Sequence, residues 1–155
     1  METFLRGFGW AVSLGWIYLF ADGAGWLGDR GLHLPLGLAV LLGALMLHSA
    51  PYFALGAWQT RLRRMARASD ARERALQRVT ELKAQAFLPA AFMVPALIAG
   101  PILAFLELGK NLPKWTHGAF LGVLFLVHLR LWARQLFALG MARAFYRACE
   151  SEKEQ

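Results

Sequence analysis

Apolar residues fall into four long runs, at about 4–21, 34–58, 87–108 and 115–134, with short polar turns after the first and third and a long charged segment after the second. Even the shortest run, at 1.5 Å of rise per residue, reaches about 27 Å, close to the roughly 30 Å hydrocarbon layer of a bilayer. The pattern therefore predicts an all-α membrane protein, a four-transmembrane-helix bundle within one integral membrane domain. The first run, with Arg6 near its start and Asp22 just after it, reads either as a retained span or as a signal peptide. No small-x-small cleavage site with a polar start follows Phe20, which favours retention. Pro35 sits in the first turn of the second run, where its missing N–H is harmless, and Pro51 interrupts that run later. Trp10, Trp26, Trp58 and Trp115 stand near proposed helix ends, where indole rings favour the headgroup zone.

Charge sets the expected orientation. Segment 61–83 holds seven arginines and Lys83, and Arg134, Arg143, Arg147 and Lys153 follow the last run. Basic loops stay on the cytoplasmic side, so the central segment and both termini are expected inside (N-in/C-in), with 22–32 and 109–114 on the other face of a bacterial inner membrane. Within the central segment Leu62, Met65, Leu76, Val79 and Leu82 recur largely at three- or four-residue steps. Helices two and three are thus expected to project as a cytoplasmic hairpin over about 59–86, followed at the end of the chain by a tail over 135–155. The hairpin reads as a topogenic face or as a dock for a protein partner or anionic lipid.

Composition agrees with this setting: 57% of residues are hydrophobic and 13% aromatic, and mean hydropathy is +0.41. The net charge of +7 lies between and after the apolar runs, so it points to membrane orientation and not to nucleic acid. Cys149 is the sole cysteine, which excludes an internal disulfide and a CxxC site. Expected partners are membrane lipid, a protein docked on the hairpin, and further copies of the same chain.

Polar residues inside the runs carry the candidate chemistry. Prolines 89, 95 and 101, the last beside Gly100, remove backbone hydrogen bonds from helix three and are expected to leave carbonyls open to the bundle. Gly118 with Gly122, and Ala39 with Gly43, form small-xxx-small pairs that read as close packing before any ligand role. All four histidines, His33, His48, His117 and His128, lie on helices two and four or at their non-cytoplasmic ends. In a bundle of four spans these two helices run parallel. His48 is 14 residues past Leu34 and His128 is 13 past Trp115, so the two are expected at matched depth, facing each other. His33 and His117 form a second pair near the ends, about 60° and 20° around their helices from the inner histidines.

Two layers of paired imidazoles on alternate helices suit b-type haem, with His48 and His128 as iron ligands and His33 and His117 as a less deeply placed pair. Arg130, one turn before Arg134, would then meet a propionate or snorkel to headgroups. The plainer reading makes His33 and His117 interfacial residues. For His48 and His128, buried too deeply for that, it offers an interhelical hydrogen bond, a proton-linked site, or another metal or pigment. No nucleophile elbow, phosphate-binding loop, dinucleotide fingerprint or HExxH occurs. The five methionines are scattered, with only Met46 near His48, which gives copper little support.

The stretches LHSAPYFALGAWQTRLRRM, VPALIAGPILAF and KWTHGAFLGVLFLVHLRLW resemble, in order, small bacterial membrane proteins of the oxygen-independent protoporphyrinogen oxidase family and the CopD-type copper-resistance domain. In those a histidine-bearing helix precedes a basic stretch, a helix with proline and glycine follows, and the next opens with Trp-x-His. The resemblance covers about 47–132 and implies a haem-associated role for His48 and for His128. The lysine that family carries after Trp-x-His has an apolar counterpart here, near Ala119. The family also adds a span after this region, where this chain instead has one before it. The expected function is thus a haem b protein, with quinone as a further cofactor, passing electrons between a quinol and a partner protein. The competing classes are a non-catalytic anchor or assembly subunit of a larger complex, and a small transporter or copper-handling component.

Overall fold

The computed structural model describes residues 2–24, 30–65, 70–113 and 115–151. Trp26, Arg67, Lys153 and the tip of the central segment lie outside the described residues. The described chain is four helices: α1 Glu2–Gly23, α2 Arg30–Arg63, α3 Asp70–Leu108 and α4 Thr116–Ser151. Among the described residues there is no strand.

All four helices are long and apolar enough to cross a membrane. Their surfaces agree: Phe4 and Trp10 on α1, Leu34 and Phe53 on α2, Phe92 and Phe105 on α3, and Leu126 and Phe137 on α4 are exposed. So much apolar surface on every helix suits an apolar medium rather than water. The 22 residues of α1 span about 33 Å, a single bilayer crossing, whereas the 34, 39 and 36 residues of α2, α3 and α4 run to more than about 50 Å each. Three helices are therefore longer than a hydrocarbon layer is thick.

The extra length gathers at the arginine-rich end. The helices there are not the two-stranded hairpin that the hydropathy suggests, because α4 does not stop near 134 but continues to Ser151. Ala138, Leu139, Ala142, Phe145, Tyr146 and Cys149 recur at mostly three- and four-residue steps and join Leu62, Met65, Ala75 and Val79 in one apolar cluster. Trp58 of α2 meets Tyr146 of α4 with ring centroids 4.9 Å apart. Polar bonds tie α2 to α3 at the same level: Gln59 Nε2 donates to Thr80 Oγ1 at 2.7 Å, and Lys83 Nζ donates to Gln59 Oε1 at 3.3 Å. Asp70 and Glu73 in the first turn of α3, and Arg61 and Arg63 in the last of α2, complement the helix dipoles.

Around the bundle, α1 packs on α2 and α4, and α3 packs on α2 and α4. The helices α2 and α4 also touch across the middle, while α1 and α3 stay apart. The section is a rhombus whose short diagonal joins the two histidine-bearing helices. Along the axis the core divides into two apolar clusters, one toward the arginine-rich end around Leu47, Leu55 and Ala142, the other toward the opposite end around Ala44, Leu97 and Leu124.

Close helix approach occurs at glycines other than most of those the small-xxx-small pattern marks. A Cβ on Gly9 would collide with the Trp132 ring, and one on Gly15 with Val40 Cγ2. Gly43 meets Val12 in the same way, but its expected partner Ala39 is exposed. A Cβ on Gly118 would meet nothing within 4 Å, and one on Gly122 only Phe20 at 3.9 Å. The α4 pair opens space instead of closing it.

Candidate functional site

The short diagonal brings His48 and His128 together between the two apolar clusters. His48 is 3% exposed and His128 0%. His48 Nε2 lies 2.9 Å from His128 Nδ1, with the rings nearly perpendicular at 82°. Each ring's second nitrogen also has a neighbour. His48 Nδ1 is 3.0 Å from Gln135 Oε1, and His128 Nε2 is 3.5 Å from Ser13 Oγ. A chain Ser13–His128–His48–Gln135 thus links α1, α4 and α2, and it contains no carboxylate and no lysine or arginine.

The proton positions follow from the ends of this chain. Gln135 Nε2 donates to the backbone oxygen of His48 at 3.2 Å, which turns its Oε1 to His48 Nδ1. An amide oxygen only accepts, so His48 carries its proton on Nδ1. Neutral His48 then offers a lone pair at Nε2, and His128 must donate from Nδ1. Neutral His128 is left with a lone pair at Nε2, facing Ser13. The Ser13 hydroxyl already donates to the backbone oxygen of Gly9 at 2.8 Å. Every link therefore has one proton except the last, and that link is also the longest. A proton added at His128 Nε2 would donate to Ser13 Oγ and complete the chain.

Aromatic rings enclose the same imidazole. Trp16, Phe125 and Trp132 lie 6.2, 6.4 and 6.5 Å from the His128 ring, the last two within about 21° of parallel. The indole N–H groups of Trp16 and Trp132 are buried with no acceptor among the described residues.

A haem between these two imidazoles would hold the coordinating nitrogens about 4 Å apart, at metal–nitrogen distances near 2 Å, and would set a porphyrin plane between the helices. The facing nitrogens are closer than that and α2 meets α4 directly, so the inner pair as arranged does not fit that group. Arg130 is exposed on α4, two residues and about 200° around the helix from His128.

Toward the opposite end the helices part. His33 and His117 do not bond each other, but both border two adjoining cavities, of about 260 and 860 Å³, whose shared wall also includes Trp16, Leu19 and Leu121. His33 Nδ1 is 2.8 Å from Asp22 Oδ2, and His117 Nδ1 is 3.0 Å from the backbone oxygen of Gly100, beside Pro101. Both partners only accept, so both rings carry a proton on Nδ1 and keep Nε2 for another group. The Glu107 carboxylate of α3 accepts from the backbone N–H of His117 at 2.9 Å, capping the start of α4 from a neighbouring helix.

The structure brings His48 and His128 into contact and leaves His33 and His117 apart, and the sequence pattern does not single out Ser13, Gln135, Asp22 or Glu107. Gln135 was the most detectable, since it lies two turns after His128 on the same face of an apolar helix. Ser13, a lone hydroxyl in mid-span, gave a weaker signal. Asp22 and Glu107 resemble ordinary flanking charges until the fold brings them beside His33 and His117. Comparison with known protein families, with curated proteins and with solved structures finds no match to this chain.

Proposed function

We propose that this chain is a multi-pass protein of the bacterial inner membrane that takes up and releases one proton at mid-depth, on the His48–His128 pair. The supporting observation is the chain of four buried polar side chains that lacks a single proton. Uptake at His128 Nε2 ties α1 to α4 through Ser13, and release loosens that contact, so proton binding is coupled to the packing of α1. The arginine-rich three-helix end and both termini face the cytoplasm in this reading, by the positive-inside rule.

Acid–base titration of the purified protein in lipid nanodiscs tests it. Burial disfavours a charged ring, so the titration runs from about pH 8 down to the lowest pH at which the fold survives, and over that range the wild type should take up one proton more than His128→Gln. Superimposable curves would reduce the pair to an interhelical fastener.

Haem b at the same pair, with electrons passing from quinol to a partner protein, is the second reading. It is favoured by the matched depth of two imidazoles on parallel helices, and it requires them to part. A reducible Soret band with α and β bands in the purified protein, lost in both His48→Ala and His128→Ala, supports haem. A colourless, folded preparation supports the proton-linked pair.

A further inference from the structure

We propose that the larger cavity, between α1 and α4, binds a lipid-soluble quinol, with its ring inside the cleft and its tail in the bilayer. The cavity of about 860 Å³ falls in the roughly 300–1,000 Å³ range of small-molecule sites. Its lining is mostly apolar and includes the rings of Trp16, Phe20, Trp115 and Phe125, which suit a planar aromatic body. Ile17, Val123 and Leu126 border it and are also exposed on the outer surface of the bundle, so the cleft opens sideways, where a hydrocarbon tail would leave. Gly118 and Gly122 widen it, since neither faces a close neighbour.

The polar groups choose the headgroup. His117 has its Nδ1 proton engaged by Gly100 and keeps an Nε2 lone pair, an acceptor that calls for an O–H donor. His33 is held in the same tautomer by Asp22. The described lining contains no lysine or arginine, while Glu107 borders the cavity and buried Asp22 stands behind His33. That balance repels phosphate and fatty-acid carboxylates and admits a neutral hydroxylated ring. The site is separate from the inner pair, with the Trp16 ring between them.

Binding can be measured by tryptophan quenching in quinone-free nanodiscs, using a short-tailed ubiquinol, its dimethyl ether and a fatty acid of similar length. The quinol should bind saturably, the ether about tenfold more weakly for want of a donor, and the fatty acid no better than the ether. His117→Phe should weaken the quinol about tenfold. Gly118→Leu fills the cleft from a position with free space around it, and should abolish binding while His48→Gln leaves it unchanged. Equal binding of quinol and ether, preference for the fatty acid, or undiminished binding by Gly118→Leu would overturn the proposal. The inner pair's proton uptake does not enter any of these readings, so either proposal can fail alone.

Discussion

The two histidine pairs sit on the same two helices, yet the bundle treats them differently. Where α2 and α4 touch, His48 and His128 bond each other and the remaining polar atoms come from Gln135 and Ser13. Where the helices part, His33 and His117 are each held from behind, by Asp22 and by the Gly100 carbonyl, and a cavity lies between α1 and α4. Helix separation thus decides whether a polar pair becomes a closed network or the wall of a site. In the closed pair each ring's Nδ1 proton is fixed by a neighbouring acceptor, Gln135 Oε1 for His48 and His48 Nε2 for His128.

The largest contrast should appear on truncation. His128→Ala leaves a void and an unpaired Nε2 on His48, at a cost of about 3 kcal/mol, whereas His117→Ala, half-buried beside existing space, should cost about 1 kcal/mol. Thermal unfolding in one detergent compares them, and equal losses would erase the distinction between closed and open pairs. Glycine substitutions sharpen it with opposite signs. Gly9→Ala drives a methyl into the Trp132 ring and should destabilise by about 1–3 kcal/mol, while Gly118→Ala meets open space and should stabilise by about 0.5–1 kcal/mol through helix propensity. A loss of stability in Gly118→Ala would mean that the cleft is filled.

A smaller effect belongs to the turn that carries Glu107 and His117 to the cavity. Helix α3 ends in a Schellman motif: Asn111 N bonds Leu106 O at 3.0 Å, Lys110 N bonds Glu107 O at 3.0 Å, and Lys110 adopts φ 59°. Glycine occupies that conformation without the Cβ penalty, so Lys110→Gly should raise stability by about 0.5–1 kcal/mol in the same unfolding assay. A loss would mean that the lysine side chain contributes more than its backbone strain costs.

Period and length made the four helices legible, since each run is both long and apolar. Depth counting also placed His48 opposite His128, because two helices of equal rise running in parallel carry equal offsets to equal levels. Counting residues says nothing of lateral separation, and so it left open whether a cofactor or a hydrogen bond joins the two rings. The helical continuation of α4 past 134 is hidden in the sequence for a related reason. Residues 135–151 mix arginines with alanine and aromatics, which lowers hydropathy, yet their apolar positions keep helical spacing and find a partner surface in α2 and α3. Asp22 behind His33 was hidden because contact between different helices is a property of the fold.

The direct bond between the inner imidazoles is most sharply tested by the ¹⁵N spectrum of histidine-labelled protein in nanodiscs, recorded above the imidazole titration range. The structure requires both rings protonated at Nδ1, with a through-bond nitrogen–nitrogen coupling between His48 Nε2 and His128 Nδ1 that disappears in His48→Gln. Two rings protonated at Nε2 with no coupling, or inner-ring signals broadened away by a paramagnetic iron, would contradict it.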